Sequence, residues 1–152
     1  MAHIDKEILH ILLVDDDKDD TQLFTDAAGK LSSPFLFSKA EDGEQLLKFL
    51  SNKLIPDIIF LDLNMPGISG RECLRAIRSN SEYDMIPVII YSTSSSPSDV
   101  DACFRGGASM YIVKPHYFSE ILSILRNVLA IDWNEYLTVP RSRESFVLKL
   151  RN

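Results

Sequence analysis

Five times along this chain a short apolar run is followed by a stretch with helical spacing, and that alternation restricts the fold more than any other feature. The apolar runs are ILHILLV at 8–14, PFLFSK at 34–39, DIIFLD at 57–62, PVIIY at 87–91 and YIV at 111–113. Helical patterns follow at 19–31, 43–52, about 69–78, about 97–105 and 118–130, with apolar residues three and four positions apart. Repeated β–α units predict an α/β domain: a parallel sheet covered by helices on both faces. Strands that are apolar throughout, rather than at alternate positions, agree with burial on both sides. A chain of 152 residues is most simply one domain, with no solenoid repeat and no low-complexity linker.

Charge and composition exclude several classes. A net charge of −6 argues against nucleic acid as a ligand, because phosphate binding needs a clustered basic face. No apolar run approaches the ~20 residues that cross a bilayer, so no membrane association is expected. The opening MAHIDKEI lacks the apolar core of a secretory signal, and the expected location is cytoplasmic. Cys73 and Cys103 have no metal-binding spacing and are expected to be reduced, buried thiols.

In parallel sheets of this kind ligands bind at the carboxyl ends of the strands. Those ends carry Asp15 and Asp16 after the first strand, Asp62 closing the third, Ser92 and Thr93 after the fourth, and Lys114 after the fifth. Three carboxylates, a hydroxyl and an ammonium therefore converge on one edge. The first of these ends is VDDDKDD, residues 14–20, whose like charges need a solvated face, a helix end or a bound cation. Asp17 is placed to cap the next helix, worth ~1 kcal/mol. Asp19 and Asp20 fall in its first turn, where negative charge meets the positive end of the helix dipole. Only Asp15 and Asp16 are expected to carry function.

On these residues the chain resembles the receiver domain of two-component response regulators, over 8–130. The resemblance is carried by LLVDDD at 12–17, FLDLNMPGISG at 60–70, PVIIYSTS at 87–94 and GGASMYIVKP at 106–115. It implies a flavodoxin-like, doubly wound five-stranded sheet of order 2-1-3-4-5 with five helices. It implies that Asp62 accepts a phosphoryl group from a histidine kinase or a histidine phosphotransfer protein. Asp16 and Asp62 would ligate Mg²⁺ directly, Asp15 through water, and the backbone carbonyl of Asn64 would complete the set. Lys114 would pair with the acceptor carboxylate and then with a phosphoryl oxygen, and the resemblance suggests a cis Lys114–Pro115 bond. Ser92 would be the switch hydroxyl and Tyr111 the switch aromatic. Together they would alter the face built by the fourth helix, fifth strand and fifth helix, where a downstream protein binds. Such a protein is no enzyme beyond catalysing its own phosphorylation and dephosphorylation. Thr93 departs from the pattern, since the family more often has Ala or Gly there, and its bulk could narrow the path of an attacking water.

Residues 131–152 are too few for a helix-turn-helix module, so the expectation is a stand-alone regulator acting through its own surface. Trp133, Tyr136, Phe146, Val147 and Leu148 are apolar enough for this extension to pack on the domain or to form a homodimer contact. Rival readings fit less well. A haloacid-dehalogenase-type phosphatase wants Thr or Val where Asp19 stands. A calcium loop needs Gly at Asp20 and Glu at Asp26. A flavodoxin needs a hydroxyl-rich loop where this chain is acidic. A non-phosphorylated pseudo-receiver acting as an interaction module is the alternative from another class. It would typically have lost Asp62 or Lys114, and both are present.

Overall fold

A computed structural model describes residues 8–149; the expectation for the N-terminal MAHIDKE and the last three residues of the extension lie outside that range. The strands are β1 (Leu9–Val14), β2 (Phe35–Ala40), β3 (Ile58–Leu61), β4 (Val88–Ser92) and β5 (Met110–Val113). All pair in parallel, in the order β2-β1-β3-β4-β5. The expected order is therefore the observed one. Each crossover carries a helix: α1 (Lys18–Ala28), α2 (Gly43–Ser51), α3 (Gly70–Arg78) and α4 (Pro97–Arg105), with α5 (Phe118–Leu129) following β5. Two further short helices, α6 (Trp133–Thr138) and α7 (Arg143–Phe146), lie in the C-terminal extension, beyond the five that were expected. None of the described helices is long and apolar enough to cross a membrane.

The helix starts follow from their caps. Asp17 accepts from the N–H groups of Asp19 and Asp20, while Asp42, Ser69 and Ser96 each accept from the N–H three residues on. α1 ends at Ala28, three residues earlier than its apolar pattern suggested, with Gly29 as its C-cap, and Leu23, expected inside, is 40% exposed.

The sheet separates two apolar layers. Phe24, Ala27 and Ala28 of α1 join Ile121, Ile124, Leu125 and Val128 of α5 on one side, around a set of edge-on rings from Phe24, Phe60 and Tyr91. α2, α3 and α4 cover the other side through Leu46, Leu50, Cys73, Leu74, Ile77, Val100 and Cys103. Both cysteines are buried and free, and burial pushes each thiol up to about 11, so neither is a reactive thiolate.

The extension packs on its own domain. It wraps the outer edge of β5, with Trp133, Tyr136 and Leu148 against the α1–α5 layer and Phe146 and Val147 in the α2–α4 layer. The Lys114–Pro115 bond is trans, against the expectation of a cis bond. Trans is the ordinary X–Pro preference, by ≈ 0.5–1 kcal/mol.

Candidate functional site

The carboxyl ends of β1, β3 and β5 are tied together by the last rungs of the sheet. Asp62 N–H donates to the Val14 carbonyl at 3.0 Å, Asp15 N–H to Ala40 at 3.0 Å, and Lys114 N–H to Ser92 at 2.7 Å. Each of the three functional side chains is therefore carried on backbone that is still held by a neighbouring strand. α3 begins directly beneath. A Cβ on Gly70 would stand 2.1 Å from the Asp62 carbonyl oxygen, so only glycine lets the helix approach this closely.

Lys114 is the centre of the site. Its side chain is 6% exposed, with Nζ 2.8 Å from Asp15, 2.8 Å from Asp20 and 3.5 Å from Asp62. Nζ also stands 5.7 Å from the centroid of the Tyr91 ring. Burial opposes the ammonium, but the hydrogen bonds and charges of the three carboxylates outweigh it and push Lys114 up. Asp62 is pushed up to about 6, first by burial; Lys114 offsets part of this, and the Asp15 charge adds to it. One cation thus serves three acids, and a fourth, Asp16, lies exposed at the same rim.

Asp15, Asp16 and Asp62 each offer an oxygen, all within 4.8 Å of one another. Asp15 Oδ1 accepts from Asp17 N–H at 2.9 Å. Its Oδ2 is buried, and its one partner among the described residues is Lys114 Nζ at 2.8 Å. A buried carboxylate oxygen beside two more is the donor set that a hard divalent cation takes. Asp16, Asp20, Asp62, Asn64, Thr93 and Lys114 line a cavity of about 560 Å³ that opens to solvent.

Ser92 reaches the same end but is fully buried, and its Oγ accepts from Ser94 N–H at 3.2 Å. Thr93, not Ser92, lines the cavity. Tyr111 is also fully buried and donates its hydroxyl hydrogen to the Ser94 carbonyl at 2.7 Å.

Asp20 is the residue that sequence reasoning missed. Placed only as a dipole partner in the first turn of α1, it instead reaches Lys114 across 94 positions. No local spacing singles it out from Asp19, since which acid of the first turn reaches Lys114 depends on how α1 sits against the end of β5.

The family model of the response regulator receiver domain matches residues 11–126. The chain belongs to that family. Among relatives, response regulator Rcp1 of Synechocystis sp. (strain ATCC 27184 / PCC 6803 / Kazusa) is 29% identical over 136 residues, covering 86% of this chain and 92% of Rcp1. The Mn²⁺-bound structure of Rcp1 superposes with a TM-score of 0.73, covering 88% of this chain and 99% of that one. The phosphorylated cyanobacterial phytochrome response regulator RcpA gives 0.73 at 31% identity, covering 79% of this chain and 90% of that one. As a receiver the chain belongs to a two-component system, with a phosphodonor upstream and a partner downstream.

Proposed function

We propose that this receiver takes a phosphoryl group onto Asp62 from a histidine kinase or a histidine phosphotransfer protein, with Mg²⁺ as cofactor. The observation that carries this reading is Asp62 at the end of β3, 3.5 Å from a buried lysine and clustered with the carboxylates of Asp15 and Asp16. A carboxyl group at about 6 is ionised at neutral pH, as a nucleophile must be. An Asp62 oxygen attacks phosphorus, the N–P bond of the phosphohistidine breaks, the imidazole leaves with a proton, and an acyl phosphate remains. Lys114 turns one N–H from a carboxylate to a phosphoryl oxygen, as a point charge that needs no change of place.

Asp15, Asp16, Asp62 and the Asn64 carbonyl would hold Mg²⁺, which supplies positive charge against the carboxylates and the phosphoryl oxygens. Rcp1 with Mn²⁺ and phosphorylated RcpA support the reading by analogy. Ser92 then leaves Ser94 for the phosphoryl group, and Tyr111 shifts, altering the face of α4, β5 and α5 for a downstream protein. The protein catalyses no turnover beyond its own phosphorylation and dephosphorylation, and it acts in the cytoplasm.

Incubation with acetyl phosphate and Mg²⁺ tests this: a phosphoryl adduct by intact mass is expected on the wild type and none on Asp62→Asn. An unmodified wild type would return the pseudo-receiver reading. Thr93 at the cavity wall narrows the approach of water to the acyl phosphate, so Thr93→Ala is expected to shorten the adduct's lifetime several-fold. Equal lifetimes would remove Thr93 from the account.

A further inference from the structure

The contacts of residues 141–148 concentrate on one strand and one helix. Val147 forms a parallel bridge with Tyr111, and Leu148 N–H donates to the Tyr111 carbonyl at 2.9 Å. Phe146 is 1% exposed and meets the rings of Phe104 at 5.2 Å and Tyr111 at 6.2 Å, both edge-on. Arg141 closes the slot from outside, with its guanidinium 4.3 Å from the Phe104 ring centroid and Nη1 donating to the Phe104 and Ala108 carbonyls. Arg143 pairs with Asp101 of α4 at 2.8 Å, both half exposed.

These contacts have the form of a bound peptide. One aromatic anchor fills a slot, a short extended stretch adds to the edge of β5, and two arginines grip α4. The connection behind it, Val139 and Pro140, is exposed. Edge strands are templates for added strands, and an extended partner uses main-chain bonds for affinity and alternate side chains for specificity.

The anchor also sits on the group that senses the site. Ser92 Oγ holds Ser94 N–H, the Ser94 carbonyl holds the Tyr111 hydroxyl, and the Tyr111 ring holds Phe146. A change at Ser92 therefore reaches Phe146 through two hydrogen bonds and one ring contact.

We propose that residues 141–148 are an intramolecular occupant of the groove between α4 and β5, and that the downstream partner displaces them with an extended segment of the same chemistry. That segment carries an aromatic anchor preceded by basic side chains, which replace Arg141 on the Phe104 and Ala108 carbonyls and Arg143 on Asp101. The trigger rests on the receiver reading, because it begins when a phosphoryl oxygen draws Ser92 away from Ser94. The groove does not depend on that reading.

The test uses the full chain and a fluorescent peptide of residues 139–149, VPRSRESFVLK, added in trans. Phe146→Ala opens the slot, and the surface double variant Arg141→Ala/Arg143→Ala loosens the segment without touching the core. The peptide is expected to bind both at least ten-fold tighter than it binds wild type. Equal binding to wild type and to folded variants overturns the proposal. In the wild type, exchange of the Leu148 amide is expected to accelerate about ten-fold with acetyl phosphate and Mg²⁺, and not to change in Asp62→Asn. An adduct formed with unchanged exchange overturns the trigger while leaving the receiver reading intact. Absence of any adduct overturns the receiver reading and the trigger together, and the peptide arm still decides the groove. A wild-type dimer that Phe146→Ala abolishes assigns the groove to a second copy and overturns the intramolecular assignment.

Discussion

Asp62 and Phe146 are both buried beside strand ends, and opposite forces hold them. Asp62 sits among like charges, with one lysine shared between it, Asp15 and Asp20, and its carboxyl is pushed up to about 6 by burial. Phe146 sits among rings, with its neighbours' polar groups satisfied by Arg141 and by the Tyr111–Leu148 hydrogen bond. The first region is under electrostatic tension that a bound cation relieves. The second is relaxed until something competes for its slot. The contrast places stored instability where the chemistry occurs and adhesion where the output is read.

The largest way to break this contrast is Lys114→Ala. It leaves Asp15, Asp20 and Asp62 facing one another, and losing one partner of a buried pair costs ~3–5 kcal/mol. Urea unfolding at pH 8 should show a loss of that order, shrinking at pH 5 as Asp62, raised to about 6, takes up a proton. A loss below ~1 kcal/mol at pH 8 would mean that water already screens the cluster.

Phe146→Ala probes the relaxed region. Truncating a buried Phe costs ~3–5 kcal/mol in a core, and a site near the chain end that can refill should fall at or below the bottom of that range. Its cost should not vary with pH between 5 and 8, unlike that of Lys114→Ala.

Asp62→Asn has the opposite sign. A carboxyl raised from 3.8 to about 6 on folding holds its proton more tightly in the folded state. This favours the folded form at low pH, and stability falls as pH rises through roughly 4 to 6. The neutral Asn removes that slope, so the metal-free variant should exceed the wild type by ~1–3 kcal/mol above pH 7. Mg²⁺ at one hundred times its Kd should restore ~3 kcal/mol to the wild type and much less to the variant. Identical pH profiles for the two proteins would show that Asp62 is not strained.

Smallest is Arg143→Ala. Its ion pair with Asp101 is half exposed, so the expected loss is under ~0.5 kcal/mol by thermal unfolding, disappearing at high salt.

Much of this was legible beforehand because it is local. An apolar run such as IIFL, bounded by Asp57 and Asp62, reads as a buried strand wherever it lies, and Asp17 followed by two acids reads as a helix start. Asp15, Asp62 and Lys114 could be placed at strand ends for the same reason. Asp20 could not, because its role depends on how far α1 leans toward β5, which no short window contains. Gly70 was placed at the start of the helix at about 69–78, but its close approach to the Asp62 backbone is a property of how α3 meets β3.

The sequence by itself determined the β–α alternation, the strand ends and the acids gathered there, since periodicity and capping act over a few residues. Only the tertiary structure decided which of five neighbouring aspartates shares Lys114, and that Phe146 fills a slot between Phe104 and Tyr111. Both outcomes rest on contacts between segments dozens of residues apart, where distances of a few ångströms separate a charge contact from none and a filled slot from an open one.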